Sequence, residues 1–261
     1  MRRSLLWATA ILILVASFAV SEFSPARLVQ GLPAAYAYIL GTLPPLHADT
    51  LPSDFSSWLW GWRRWLLLLW DTILIAFLGT LFGSVAGFLL SFLAARNLSP
   101  RPWLGFATRR ALELARTVPE LVYAMLFVVA FGLGPLAGVL ALTLHATGVL
   151  GKLCFELLEH ASPGPLDGLR STGANWLETM RYGAAPQILS GFLSQALFRF
   201  EINVRASSVI GFVGVGGIGQ ELYVAIRQFV YTDISAILLL IALAVATIDH
   251  WSEQLRTRLT A

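Results

Sequence analysis

Residues 166–187 read L-D-G-L-R-S-T-G-A-N-W-L-E-T-M-R-Y-G-A-A-P-Q. This is a polar, glycine-containing segment of helical composition, set between long apolar runs. A chain that keeps such a segment between two membrane spans uses it to touch something in the cytosol. The flanks do have the composition of spans. Of 261 residues, 57% are hydrophobic and only 13% are charged, and the mean hydropathy is +0.72. Soluble domains carry roughly 25% charged residues. Half that charge, joined to long apolar runs, places the chain in a bilayer as an all-α integral membrane protein.

The same numbers exclude other classes. Net charge is +3, and no Lys/Arg block is dense enough for a nucleic-acid patch. The single Cys154 excludes an intramolecular disulfide and a Cys-based metal site; it reads as a small apolar packing residue. His47, His145, His160 and His250 lack the spacing for shared metal ligation, and His145 reads as a satisfied helix-packing group. No Ser/His/Asp grouping or carboxylate pair is arranged for catalysis. The chain is therefore expected to hold no catalytic residues, no metal and no cofactor of its own.

Six spans can be drawn, over residues 5–20, 66–95, 118–131, 136–150, 188–210 and 234–248. The first has two readings, a retained helix or a cleaved signal peptide ending near Ser17 and Ala19. The second carries Gly79, Gly83 and Gly87 at four-residue spacing, a small-residue stripe suited to close helix packing or placed there by chance facing lipid. Gly132-Leu133-Gly134-Pro135 makes a tight turn between the third and fourth. Arg2, Arg3, Arg96, Arg101, Arg109, Arg110, Lys152, Arg170, Arg181, Arg256 and Arg258 all fall on one side of the membrane in this arrangement. The positive-inside rule then makes both termini and residues 166–187 cytosolic; Arg63 and Arg64 oppose it. Residues 21–65 fall outside, with a short amphipathic helix expected over 55–64 and its Trp residues in an interfacial belt. The expected division is 1–65, an N-terminal span plus external segment, and 66–261, a core with a cytosolic loop over 152–186.

The loop resembles the EAA coupling loop of ABC-importer membrane subunits. In that loop an acidic-small-small triplet is followed by Gly and, thirteen residues later, by Pro. Here the triplet is Asp167-Gly168-Leu169, the Gly is Gly173 and the Pro is Pro186. Asp stands for the usual Glu, and Gly183 and Ala185 stand where Ile and Leu are preferred. Further stretches narrow the resemblance to the permease subunit of phosphonate importers, with type I importer architecture. They are P-S-D-F-S-S-W at 52–58, F-V-V-A-F-G-L-G-P-L-A-G-V-L-A-L at 127–142 and T-G-V-L-G-K-L at 147–153. P-G-P-L-D-G-L-R-S-T-G-A-N at 163–175 and R-F-E-I-N-V-R-A-S-S-V-I-G-F-V-G-V-G-G-I-G at 199–219 complete the set. The resemblance implies a homodimer in the bacterial inner membrane. It also implies two copies of a cytosolic ATP-binding subunit and an extracytoplasmic substrate-binding protein. ATP and Mg belong to the ATPase. The cargo is then a phosphonate, phosphite, hypophosphite or phosphate. Coupling to the ATPase would fall to Asp167, Gly168, Arg170, Gly173, Ala174 and Pro186, with Gly173 allowing a positive φ at a bend and Pro186 starting the fifth span.

Arg199, Glu201, Asn203 and Arg205 interrupt the fifth span, where a charge is costly. Glu201 and Arg205, at i, i+4 with the acid first, suit an ion pair within the helix. Arg199, with no local acid, suits an anion. The expectation is that Arg199, Asn203, Ser207 and Ser208 line an oxyanion path; polar packing between helices is the alternative. Arg116 and Glu120 suggest a further pair, or simple interfacial anchoring. Gly214, Gly216, Gly217 and Gly219 formally spell G-x-G-x-x-G but lack the strand and acid of a dinucleotide site. They read instead as a tight external turn approaching a dimer mate or the binding protein. Two rivals of other classes are a passive anion channel, which needs no coupling loop, and an integral membrane enzyme acting on lipid phosphate, which needs an acid/base group that the sequence lacks.

Overall fold

The computed structural model describes residues 2–21, 24–44 and 49–260; His47 lies outside them. All regular structure among these residues is helical. The elements are α1 (Arg2–Val20), α2 (Pro25–Thr42), α3 (Leu51–Trp58), α4 (Trp62–Ala94), α5 (Pro102–Thr117) and α6 (Glu120–Phe131). They continue with α7 (Pro135–Glu159), α8 (Pro163–Ser171), α9 (Trp176–Glu178), α10 (Ala185–Ile210), α11 (Ile218–Arg227) and α12 (Tyr231–Thr260).

The chain divides between Pro45 and Leu46, not after Trp65, which lies inside α4. The first unit holds α1, whose apolar part is Thr9–Phe18, and α2, a helix that the apolar pattern of the sequence does not predict. Ser24 caps α2 by accepting from Arg27 N at 3.3 Å, and Pro25 fills the first turn, where a missing N–H costs nothing.

In the second unit α4, α7 and α12 are each long and apolar enough to cross a membrane. Two further candidates are broken. One joins α5 to α6 at 91°, and the other joins the helical run Trp176–Val213 to α11 at 48°. The cause of the first break is local. Val118 and Pro119 are extended, because a residue before proline is pushed out of the helical region.

The glycine stripe is the seam between α4 and α7. A Cβ at Gly79 would lie 2.5 Å from Leu142 Cβ, one at Gly83 2.6 Å from Ala146 Cβ, and one at Gly87 2.8 Å from Gly151 N. The contacts advance in the same direction on both helices, so α4 and α7 run parallel, backbone against backbone. Gly83→Leu should therefore lower the melting temperature of the purified protein by the equivalent of about 1–3 kcal/mol. An unchanged transition would mean the seam is not tight.

The amphipathic helix expected over 55–64 is not formed as one element. Leu51–Trp58 is helical, and Trp62–Arg64 already belong to α4. The reason is tertiary. Trp65 is 1% exposed, packed in a cluster with Leu69, Ile218, Leu222 and Ile237, and this draws the long helix upward. The nearby tryptophans bind protein too. Trp58 Nε1 donates to Thr232 O at 3.1 Å, and Trp60 Nε1 donates to Asp233 Oδ1 at 3.0 Å. Arg64, awkward for the charge rule, pairs with Glu221 at 2.8 Å.

Candidate functional site

The loop between α7 and α10 folds into two short helical pieces on a glycine hinge. α8 carries Asp167, Gly168 and Arg170 on its exposed side and buries Leu166. Gly173 has φ +84. Its N–H donates to Arg170 O at 3.1 Å, and Ala174 N donates to Leu169 O at 3.2 Å. That pair of bonds is a Schellman cap, and the left-handed residue within it is the one glycine supplies without strain. Asn175 then opens α9 with a reciprocal capping box. Its side chain accepts from Glu178 N at 2.9 Å, and its own N donates to Glu178 Oε2 at 2.7 Å. The unit is tied back to the spans. Arg170 Nη2 donates to Asn97 O at 3.2 Å, and Trp176 Nε1 donates to Leu98 O at 2.6 Å.

Pro186 does not begin the helical run. The run starts at Trp176 and passes through a π-turn at Thr179–Ala184 before α10. A proline cannot serve the usual i→i−4 bond, and the wider turn just before it absorbs that loss; Ala185 N donates to Met180 O instead. Gly183 also has a structural reason. A Cβ there would meet Leu169 at 2.9 Å and Leu166 at 3.0 Å, so α8 rests directly on the π-turn. The face left outward holds Asp167, Gly168, Arg170 and Gly173, with Leu177 and Tyr182 exposed beside them.

The polar residues of α10 separate into three groups. Asn203 Nδ2 donates to Thr80 Oγ1 at 2.8 Å, Ser207 Oγ donates to Thr72 O at 3.1 Å, and Ser208 Oγ donates to Val204 O at 3.3 Å. All three residues are buried. Asn203 and Ser207 stitch α10 to α4, and Ser208 is satisfied within its own helix; these bonds are those of helix packing, with Asn203 Oδ1 left without a partner.

Glu201 and Arg205 do not pair with each other. Arg256 Nη2 lies 3.2 Å from Glu201 Oε1, and Arg205 pairs with Asp249. The antiparallel α12 brings two opposite charges against α10, and these displace the i, i+4 partner. A double-mutant cycle on Glu201→Gln and Arg256→Gln should give a coupling energy on the order of 1–3 kcal/mol. The same cycle on Glu201→Gln and Arg205→Gln should give much less; the reverse order would reinstate the pair within the helix.

Arg199 stands apart. It is 7% exposed, and its Nε and Nη2 have no hydrogen-bond partner. It lies within electrostatic reach of Glu120 and His145. Glu120 is not set against Arg116 in the expected i, i+4 relation, because the break at Val118-Pro119 destroys that spacing. Glu120 Oε2 lies instead 3.5 Å from His145 Nε2, while His145 Nδ1 lies 2.9 Å from Val118 O, a carbonyl left open by the break. Sequence spacing places neither Glu120 nor His145 with Arg199. The available signal is Pro119, which marks the break that turns Glu120 inward.

The glycine turn is seated within its own chain. Gly214, Gly216 and Gly217 have φ of +88, +97 and +74. A Cβ at Gly217 would lie 2.3 Å from Thr72 Oγ1, and one at Gly219 1.8 Å from Ser208 O. Thr72 Oγ1 also accepts from Ile218 N at 2.9 Å. Gly217 and Gly219 thus make close approaches to α4 and α10, Gly214 to Leu133, while nothing lies within 4 Å of a Cβ at Gly216.

Residues 87–259 match the family model described as "Binding-protein-dependent transport system inner membrane component". The phosphite transport system permease protein PtxC of Stutzerimonas stutzeri is 37% identical over 94% of this chain and 84% of its own length. The phosphate-import permease protein PhnE of Mycolicibacterium smegmatis is 35% identical over 87% of this chain and 41% of its own. A chain of the MetNI methionine ABC transporter, solved in inward-facing conformations, superposes with a TM-score of 0.65 at 20% identity. That match covers 76% of this chain and 96% of the other, and it shows the fold alone. This chain belongs to the family of binding-protein-dependent transport system inner membrane components: it is a multi-pass permease subunit of an ABC importer, and ATP hydrolysis resides in a partner ATPase.

Proposed function

We propose that this permease carries a small phosphorus oxyanion, phosphonate or phosphite, inward across the inner membrane. The observation that carries the reading is Arg199, a buried guanidinium in a helix of the membrane domain with two nitrogens free to bond. A guanidinium fork matches the oxygens of a tetrahedral anion. The phosphite permease among the relatives supports the same class of cargo.

Both termini and the α8–α9 unit face the cytosol in this reading. The loop's outward face, with Asp167, Gly168, Arg170, Gly173 and Ala174, docks on the ATP-binding subunit. Pro186 and the π-turn transmit its movement into α10. Two ATPase copies act beneath two permease chains, in the simplest arrangement two copies of this one. A binding protein delivers the anion from outside. Closure of the ATPases opens the path outward, and hydrolysis returns it inward. Of the four residues expected to line the path, Arg199 is the one that carries buried donors without a partner, at Nε and Nη2, while Asn203 keeps an unpartnered acceptor, Oδ1.

The test is ATP hydrolysis by the reconstituted complex of permease, ATPase and binding protein. Methylphosphonate, phosphite or phosphate should stimulate it, whereas methionine or alginate should not. Indifference to every phosphorus oxyanion in a complex that assembles would reject this cargo class.

A further inference from the structure

A cavity of about 410 Å³ lies at the break between α5 and α6, walled by Pro119, Glu120, Ile202, Arg205, Ala206 and Val209 among others. Its charged wall residues are Glu120 and Arg205, and Arg205 is engaged by Asp249. Arg199 stands on the same face of α10 as Ile202 and Ala206, at i, i+3 and i+7. Arg199 is not itself a wall residue; it lies one turn along α10 from Ile202 and within electrostatic reach of Glu120, which is one.

The electrostatics there are balanced in charge but not in bonds. Glu120 offsets the Arg199 charge, yet Nε and Nη2 of Arg199 find no acceptor. A buried cation with unused donors costs free energy until acceptors arrive. Glu120 is also the first residue of α6. The start of a broken span carries partial positive charge and favours an anion. His145 Nδ1–H donates to Val118 O, and Nε2, 3.5 Å from Glu120 Oε2, attracts that carboxylate when the ring is protonated.

We propose that Glu120, oriented by His145, is the resident counter-anion of Arg199, and that a tetrahedral oxyanion in transit takes its place. This inference rests on the reading of the chain as an oxyanion permease. The arriving anion supplies the acceptors that Nε and Nη2 lack, and Glu120 swings into the cavity. When the anion leaves, Glu120 returns. Competition from Glu120 keeps the intrinsic affinity of the path low, as a conduction site requires. Glu120 and His145 are thus positioning residues that set how long the path holds its cargo.

The experiment uses the whole permease–ATPase complex in nanodiscs, without nucleotide or binding protein, titrated with inorganic phosphite in a calorimeter. Glu120→Gln should bind phosphite at least about tenfold more tightly than the unaltered protein, the scale of a close charge pair in a partly desolvated site. Adding Arg199→Gln should abolish the gain. His145→Gln, which releases Glu120 without removing it, should tighten binding less, and it serves if Glu120→Gln fails to assemble. A damaged structure would weaken binding, so a gain separates this role from a merely structural one. Equal or weaker binding by Glu120→Gln in an intact complex would overturn the inference, and so would binding by neither protein. Failure of the cargo reading is seen separately, as absence of ATP-driven uptake of phosphite and methylphosphonate by proteoliposomes of the unaltered complex with its binding protein.

Discussion

Gly173→Trp should abolish ATP-driven uptake while leaving the permease folded. The separation follows from the geometry of the position. Nothing lies within 4 Å of a Cβ placed at Gly173, so a side chain leaves the hinge unobstructed. The intrinsic penalty is the left-handed backbone at φ +84, roughly 1–2 kcal/mol for a residue with a Cβ. The surrounding Schellman and capping-box bonds are able to absorb it. An indole on the outward hinge of the α8–α9 unit, however, blocks docking on any closely fitting cleft. Uptake into proteoliposomes should fall by at least about tenfold, the scale of truncating one hot-spot side chain at an interface, and the ATPase should no longer co-purify. Gly173→Asn, a residue that tolerates the left-handed region, should keep most of both. Full uptake by Gly173→Trp would remove this loop from the coupling path.

Arg199→Ala should likewise stop transport, but the simple variant confounds two effects. Removing the buried cation also strips Glu120, half-buried and within electrostatic reach of Arg199, of a compensating charge, which is destabilising. Assembly is therefore expected to suffer along with transport. The neutral double variant Arg199→Gln with Glu120→Gln separates them. It should recover thermal stability and co-purification with the ATPase, because no unpaired charge remains, yet still fail to import phosphite. Arg199→Lys keeps the charge without the planar fork and should retain a small fraction of uptake. Transport at the unaltered rate by the double variant would show that Arg199 neutralises Glu120 and does nothing for the cargo.

The elements of this fold differ in how far they can be read from residues alone. Apolar runs announce α4, α7, α10 and α12. The Gly79, Gly83, Gly87 spacing announces a seam, although its partner α7 is visible only in the structure. The hinge at Gly173 is legible because a single glycine between two capped helices encodes its own φ. These features are local: hydropathy, a backbone angle, the i+4 repeat. They are properties of a few neighbouring residues, so residue order alone is enough to reveal them, along with membership among the permeases.

The side-chain partners in α10 are of the other kind. Glu201 and Arg205 satisfy every local rule for a pair, and each is taken by a charge on α12 about 45–55 residues away. Asn203 Nδ2 and Ser207 Oγ donate to Thr80 and Thr72 of α4, more than a hundred residues away. α4 likewise gains its first turn because Trp65 has a buried seat among α11 and α12. A helix exposes several faces, and the face a residue shares with a neighbour depends on how the neighbour crosses it. That crossing is a property of all the packed helices together, so it is packing, and not spacing along the chain, that brings Glu120 and His145 within electrostatic reach of Arg199.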